Sequence, residues 1–208
     1  MITKFFSSLI AGITMLVALA LLPVASVAQA DDATSVLDLD VLSSVVAIEI
    51  DGKFAGTGVV VTRTGLVVTS LDFAMLRLKE NKLIVIGDLR RTASVVALDE
   101  PHKLALLQMH GVIPRSATLA PPSERPKQSD IFVCWSQDRI LLQVSANKIK
   151  NSQNVEMLTE NGGACAVFGA KTGNLKAVLA ISVGEETALA YFIGIAKVRK
   201  LLGPALDP

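Results

Sequence analysis

Short apolar runs separated by turn residues dominate the chain from residue 45 onward. The first run, VVAIEI at Val45–Ile50, is followed by Asp51-Gly52, a strong signal for a two-residue hairpin. Further runs follow at Lys53–Val61, Leu66–Thr69, Lys82–Ile86, Thr92–Leu98 and Leu104–Met109. Short runs rich in β-branched residues and bounded by turn residues predict β-strands, so we expect about six strands in this half of the chain.

The composition changes between residues 111 and 130, where the chain holds four of its eight prolines and little apolar periodicity. This stretch therefore predicts a connector. Beyond it the short runs resume, at Ile131–Cys134, Ile140–Lys148, Val155–Leu158, Ala164–Phe168, Leu175–Val183 and Thr187–Ile193. Ala196–Leu202 has helical spacing, and Gly203-Pro204 ends it. The pattern predicts an all-β protein whose two blocks of antiparallel strands close or pack together, which removes their free edges.

The first 30 residues have the pattern of a secretory signal peptide. Lys4 supplies a positive start, Ile10–Leu22 is an uncharged apolar run, and Ala28-Gln29-Ala30 has the small residues of a cleavage site. We therefore expect cleavage before Asp31 and a periplasmic or secreted protein that is not inserted in a membrane. An uncleaved membrane anchor is the alternative, but the apolar run is short for a membrane span.

Charge and cysteine content narrow the function classes. The whole chain has 20 basic and 19 acidic residues, and loss of Lys4 with the signal leaves the mature chain neutral. A neutral chain without a basic run argues against nucleic acid or an anionic membrane as the main partner. Cys134 and Cys165 are too few for a structural zinc site, and His102 and His110 are not at ligand spacing with them, so no metal or cofactor is predicted. An oxidising compartment would permit a disulfide between the cysteines, and two buried free thiols are the alternative.

Several segments, taken in order, resemble trypsin-like serine proteases of the HtrA type. They are Gly56–Val61 with Gly65–Asp72, Val96–Leu107, Thr159–Ala164, and Tyr191–Ile195 followed by the predicted helix. The resemblance implies two six-stranded antiparallel β-barrels, packed at right angles with a cleft between them, and a short C-terminal helix. The implied divisions are a signal at 1–30, an N-terminal segment at 31–43, a first barrel at 44–110, a linker at 111–130, and a second barrel with the helix at 131–208.

The resemblance fails at the residues that perform catalysis in such proteases. The general base falls on Asp72, the orienting carboxylate on Lys103, the nucleophile on Asn161 and an oxyanion-hole glycine on Thr159. Acyl transfer needs an ionisable hydroxyl or thiol and a base oriented by a third group. An amide is no comparable nucleophile, and a carboxylate is a much weaker base than an imidazole at neutral pH. We therefore predict a protein without catalytic residues.

The resemblance also implies two side-chain contacts. Asp72 and Lys103 would face each other as an ion pair, to which Asn161 could hydrogen-bond; solvation of both charges is the alternative. Cys134 and Cys165 would lie on neighbouring strands of one barrel, so we expect a disulfide that closes a loop of about thirty residues and contributes about 3 kcal/mol.

The predicted function is that of a pseudoprotease that binds an envelope protein or peptide without cutting it. Its former cleft, at Asp72, Lys103, Asn161, Gly162 and Gly163, would hold an extended segment by β-strand addition. Two other readings stay open at this point. One is a hydrolase with a non-standard centre that uses Cys165 and His102, and the other is a purely structural envelope domain.

Overall fold

The first half of the protein is a closed antiparallel barrel. The structure is a computed structural model that describes residues 37–72, 74–75, 84–86, 90–146, 164–183 and 188–203. The strands of the barrel are β1 (Val45–Ile50), β2 (Lys53–Val60), β3 (Leu66–Ser70), β4 (Ile84–Ile86), β5 (Arg91–Asp99) and β6 (Leu104–Met109). They pair in the order β1-β2-β3-β6-β5-β4. Each strand begins and ends within about two residues of the predicted bounds, because local apolar periodicity carries this information.

The second half is an antiparallel sheet followed by a helix. Its described strands are β7 (Ile131–Trp135), β8 (Leu141–Ser145), β9 (Ala164–Phe168), β10 (Leu175–Val183) and β11 (Ala188–Gly194), in the order β11-β10-β9-β7-β8. The predicted strand at Val155–Leu158 lies outside the described residues. A short helix α1 (Leu39–Leu42) precedes the barrel, and α2 (Ile195–Leu202) confirms the predicted C-terminal helix. Within the described residues, no helix is both long and apolar enough to cross a membrane.

Alternate residues of the barrel strands pack in two different cores. Val60 of β2 points into the barrel, whereas Val59 and Val61 point outward. The outward side chains form one core with the second half, which we call the seam. Its main members are Val45, Val59, Val61, Val68, Leu104 and Leu106 from the barrel, and Ile131, Val133, Ala166, Phe168, Val178 and Ile195 from the second half. Because successive side chains of a strand point to opposite faces, strands buried on both faces read as continuous apolar runs.

The proline-rich connector is an ordered bridge between the two halves. The Ala117 N–H donates to the Val60 carbonyl of the barrel at 2.7 Å, and the Leu175 N–H of β10 donates to Thr118 at 2.8 Å. From α2, the Arg199 guanidinium donates to the carbonyls of the next two connector residues at 3.1–3.3 Å. The connector therefore contributes hydrogen bonds to both halves.

A buried charge cluster holds the end of the connector. Lys176 of β10 is only 4% exposed, and its Nζ lies 2.9 Å from Glu124 Oε1 and 3.1 Å from Asp130 Oδ1. Burial by itself would lower the pKa of Lys176, but the hydrogen bonds to Glu124 and Asp130 raise that pKa above its ordinary value. Gly169 leaves the space for this ammonium, since a Cβ there would lie 2.8 Å from Lys176 Cε.

The two cysteines form the predicted disulfide. The β7–β9 register pairs Val133 with Ala166, so Cys134 and Cys165 come next, directly opposite each other. Their Cα atoms are 4.7 Å apart, and each residue is 1% exposed. The bond therefore ties together two neighbouring strands of the second half.

The disulfide predicts a measurable loss of stability on reduction. The bond spans 31 positions, for which the chain-entropy model gives a contribution of about 3 kcal/mol. We expect no free thiol in unfolded, unreduced protein, and a free energy of unfolding in urea that falls by about that amount with reductant. A Cys134→Ala, Cys165→Ala variant is the control, because its stability should not respond to reductant. Titration of two free thiols without reductant would contradict the bond.

The buried ammonium predicts a pH-dependent stability. Lys176→Met removes the ammonium and leaves Asp130 buried without a counter-charge, so we expect a loss of about 3–5 kcal/mol near neutral pH. Because the folded-state pKa is raised, the contribution is complete below the ordinary value of 10.5 and disappears as pH rises through the folded-state pKa. The difference in urea stability between wild type and Lys176→Met should therefore shrink only above pH 10.5. Lys171→Met, at an exposed position, is the control, and a difference that already declines below pH 9 would contradict this assignment.

Candidate functional site

The ends of β3 and β6 bring two of the predicted site residues onto neighbouring segments. Ser70 pairs with Leu104, and the Leu71 N–H donates to the Lys103 carbonyl at 2.9 Å. Asp72 follows directly, where the chain becomes helical, and it is half-buried. The backbones of Asp72 and Lys103 are thus neighbours, as the resemblance implies.

The Lys103 ammonium does not form an ion pair with the Asp72 carboxylate. Among the ion pairs and hydrogen bonds of the described residues, none joins the Asp72 carboxylate to the Lys103 ammonium, so the structure does not form the predicted ion pair. Lys103 has a left-handed backbone, with φ of 56° and ψ of 34°, and its N–H closes a short 3₁₀ turn at Glu100–His102. Because this conformation is unfavourable for a residue with a Cβ, the surrounding turn must hold it in place.

An imidazole–carboxylate pair lies directly before Lys103. His102 Nδ1 is 2.9 Å from both oxygens of Asp99, which also caps the 3₁₀ turn by accepting from the His102 N–H at 3.3 Å. The His102 side chain is 30% exposed. Sequence reasoning did not find this pair. An aspartate followed by Pro101 and, three residues on, by His102 is typical of a capped turn, and that spacing was the available signal.

The alternative dyad of Cys165 and His102 is wrong. The Cys165 sulfur is bonded to Cys134 inside the second half, so it offers no thiolate to a substrate. Thr159, Asn161, Gly162 and Gly163 lie outside the described residues. The described part of the candidate site is therefore the edge formed by Asp72, His102 and Lys103. In the described part of the chain, no three His, Cys, Asp or Glu side chains are grouped to hold a metal ion.

Hydrogen bonds across the seam position this edge against the second half. Thr57, of the Gly56-Thr57-Gly58 motif, is fully buried, and its Oγ1 accepts from the Trp135 N–H at 2.8 Å. The Trp135 ring Nε1 donates to the Val45 carbonyl at 2.9 Å, and Thr69 Oγ1 donates to the Thr57 carbonyl at 2.8 Å. Thr57 therefore connects β7 to β3, the strand that Asp72 follows. Gly58 is required beside it, because a Cβ would lie 2.6 Å from Val67 Cγ1.

A buried carboxylate links the halves at a second point. Glu49 of β1 is 4% exposed, and both of its oxygens are paired. Arg90, before β5, donates to one oxygen at 2.9 Å, and Arg139, from the turn between β7 and β8, donates to the other. Both arginines have left-handed backbones, with φ of 50° and 58°. Sequence reasoning read Glu49 only as part of a strand, and its acidic side chain inside the VVAIEI run was the signal that it missed.

Comparisons with known proteins show the fold and no closer relationship. No family model matches the chain, and no curated protein matches it. Among solved structures, it is similar to "Crystal structure of Deg5", with 14% identity, a TM-score of 0.53, and coverage of 76% of this chain and 86% of that one. It is also similar to "HtrA-type protease AlgWS227A with tripeptide", with 14% identity, a TM-score of 0.54, and coverage of 79% of this chain. The match spans 60% of the AlgW chain. These similarities confirm the trypsin-like fold of HtrA-type proteases.

The missing ion pair predicts that Asp72 and Lys103 contribute little to stability. We expect Asp72→Asn and Lys103→Met each to change the free energy of unfolding by less than about 0.5 kcal/mol, and the double variant to be additive. Asp99→Ala is the positive control, because it removes the side-chain cap of the 3₁₀ turn and the contact with His102 and should cost about 1 kcal/mol. A coupling energy above about 1 kcal/mol between Asp72 and Lys103 in urea unfolding would contradict the geometry.

Proposed function

We propose that this protein is an exported pseudoprotease of the HtrA-type fold, which binds an envelope protein or peptide without hydrolysing it. The observation that carries the proposal is the pair of side chains at this edge, where the end of β3 lies beside the start of β6. At the positions that the resemblance assigns to the base and its orienting group, the chain has Asp72 and Lys103, and their charges do not pair. The resemblance assigns Asn161 to the nucleophile, and an amide cannot replace a hydroxyl in acyl transfer.

The chemistry left at this edge supports binding rather than bond cleavage. Asp72 and Lys103 are half-buried charges of opposite sign, without a partner among the described residues. Such groups can hydrogen-bond to the backbone or to charged side chains of an extended polypeptide, while neither supplies an activated nucleophile. His102 is oriented by Asp99, but the Cys165 sulfur is bonded to Cys134 and offers His102 no thiol to activate.

Two further observations favour an exported, peptide-binding protein. A buried disulfide is typical of an oxidising compartment, which agrees with a signal peptide at residues 1–30. The structure of AlgWS227A contains a tripeptide, so a protein of this fold binds peptide. The seam fixes the barrel against the second half and would keep a cleft preformed, which lowers the entropy lost on binding.

We expect the mature protein to bind unfolded casein and to leave it intact. Fluorescein-labelled, unfolded casein should show no turnover above that of an Asn161→Ala variant, and a fluorophosphonate should label neither protein. Binding of the same casein, measured by biolayer interferometry, should weaken about three- to tenfold in an Asp72→Ala, Lys103→Ala variant, since two charges at the edge are lost. Asp138→Ala, Lys171→Ala is the matched control, because it also removes one acid and one base from exposed positions.

Each other reading has its own outcome. Casein turnover that persists in Asn161→Ala and is lost in His102→Ala would replace the proposal with a hydrolase that has a non-standard centre. If the protein neither cleaves nor binds casein, the function that remains is that of a purely structural envelope domain. Equal binding by the edge variant and the matched control would place the binding surface elsewhere on the molecule.

A further inference from the structure

An apolar groove opens at the end of β7 that is remote from Thr57. Trp135, at one end of the strand, makes the hydrogen bonds across the seam. Near Ile131, at the other end, lies a cavity of about 380 Å³. It is lined by Pro126, Lys127, Gln128, Phe132, Ala146 and Phe192. The groove is thus formed by the end of the connector and the second half, and its described lining contains neither Asp72, His102 nor Lys103.

Two aromatic rings give the groove its apolar surface. Phe132 is 2% exposed and belongs to the face of the sheet that carries the disulfide. Phe192 of β11 packs against it edge to face, with ring centroids 5.6 Å apart and an interplanar angle of 82°. Phe192 is nevertheless 58% exposed. When a partner covers a large aromatic side chain that is this exposed beside a cavity, the removal of apolar surface from water favours binding.

The turn that carries Lys127 and Gln128 is held by hydrogen bonds within the protein. Asp130 Oδ2 accepts from the Lys127 N–H at 2.6 Å, and the Asp130 N–H donates to the Lys127 carbonyl at 3.1 Å. Asp130 Oδ1 is paired with Lys176, so the turn is attached to the buried charge cluster. Pro126 restricts the backbone directly before this turn. A preformed wall reduces the ordering entropy that binding would otherwise consume.

The rim of the groove selects for negative charge. Among the described residues that line the cavity, Lys127 is the one with a charged side chain, and Gln128 lies next to it. Both side chains are exposed, and no hydrogen bond or ion pair among the described residues engages the Lys127 ammonium or the Gln128 amide. An ammonium at the rim of an apolar groove favours a ligand whose apolar part is followed closely by a carboxylate. A volume of about 380 Å³ is near the lower end for ligand pockets, which suits one large side chain.

We propose that this groove is a second binding site, which takes a polypeptide segment with one large apolar side chain next to a carboxylate. The apolar side chain covers Phe192 and rests on Phe132, while the carboxylate lies near Lys127. The site goes beyond the proposed cleft function, since it shares no residue with Asp72 and Lys103. It would let the protein hold a partner at two separate points, and two linked contacts bind more tightly than either alone.

A labelled peptide tests the site directly. The probe is fluorescein-Ser-Gly-Phe-Asp-Gly-Ser-amide, with binding to the mature protein measured by fluorescence anisotropy. We expect saturable binding that weakens about tenfold when Phe is replaced by Ala and about threefold when Asp is replaced by Asn. A peptide ending in Phe with a free carboxylate, compared with its amide, shows whether a chain terminus serves as well as an acidic side chain.

Matched variants locate the binding on the protein. Phe192→Ser and Lys127→Gln should weaken the Phe-Asp peptide about tenfold and about threefold. Val112→Ser and Lys171→Gln are the controls, because they change an exposed apolar residue and an exposed lysine away from the groove and should leave the affinity unchanged. Lys127→Gln should also abolish the preference for Asp over Asn, an effect that general destabilisation does not produce. Thermal unfolding of Phe192→Ser checks that its loss of affinity is not a loss of fold.

The proposal is overturned by any of three results. One is the absence of saturable binding by either peptide. Another is equal weakening by the groove variants and their controls. The third is a dimer in sedimentation analysis that Phe192→Ser dissociates while no peptide binds, which would make a second copy of the chain the occupant. None of these results would affect casein binding that is weakened by the Asp72→Ala, Lys103→Ala variant. Failure of the groove proposal can therefore be distinguished from failure of the proposed cleft function.

Discussion

Burial of the barrel's outer face against the second half holds the two halves of the protein together. Strands β2 and β3 are apolar on both faces, since Val60 and Val67 fill the barrel while Val59 and Val68 pack in the seam. A strand of this kind is stable only between two layers. The seam therefore makes the two halves one hydrophobic unit, and the ordered connector with its hydrogen bonds to both halves is a consequence of that packing.

Three polar side chains buried in this packing have compensating partners. The Thr57 hydroxyl accepts a hydrogen bond from Trp135, Glu49 is paired at both oxygens, and Lys176 has two carboxylates. A buried charge without such partners would cost several kcal/mol, so these contacts specify the arrangement of the halves more than they add net stability. Arg90 and Arg139, which supply the partners of Glu49, both have left-handed backbones.

The candidate site lies where this constraint ends. Asp72 and Lys103 follow or precede strands whose positions are set by core packing, but their own side chains are half-buried and bear little on the core. Residues at strand ends can therefore change without loss of the fold, so the fold alone does not fix which chemical groups lie at this edge. The groove at Phe192 is the converse case, because its rigid wall depends on the buried Asp130–Lys176 contact.

Most strands, their approximate bounds and the C-terminal helix could be predicted from the amino-acid sequence, because local periodicity and turn residues depend on neighbours in the chain. The arrangement of the strands and the cysteine pairing were implied by the resemblance to HtrA-type proteases. Which charged side chains pair could not be predicted from the sequence and depends on the folded arrangement. Glu49 pairs with two arginines that are 41 and 90 positions away in the sequence. Lys103 has a left-handed backbone directly before β6 and does not pair with Asp72, whereas His102 contacts Asp99. Which side chains of a strand are buried follows from the residue pattern along that strand. Which groups a charged side chain pairs with depends instead on the positions of turns that are distant in the sequence.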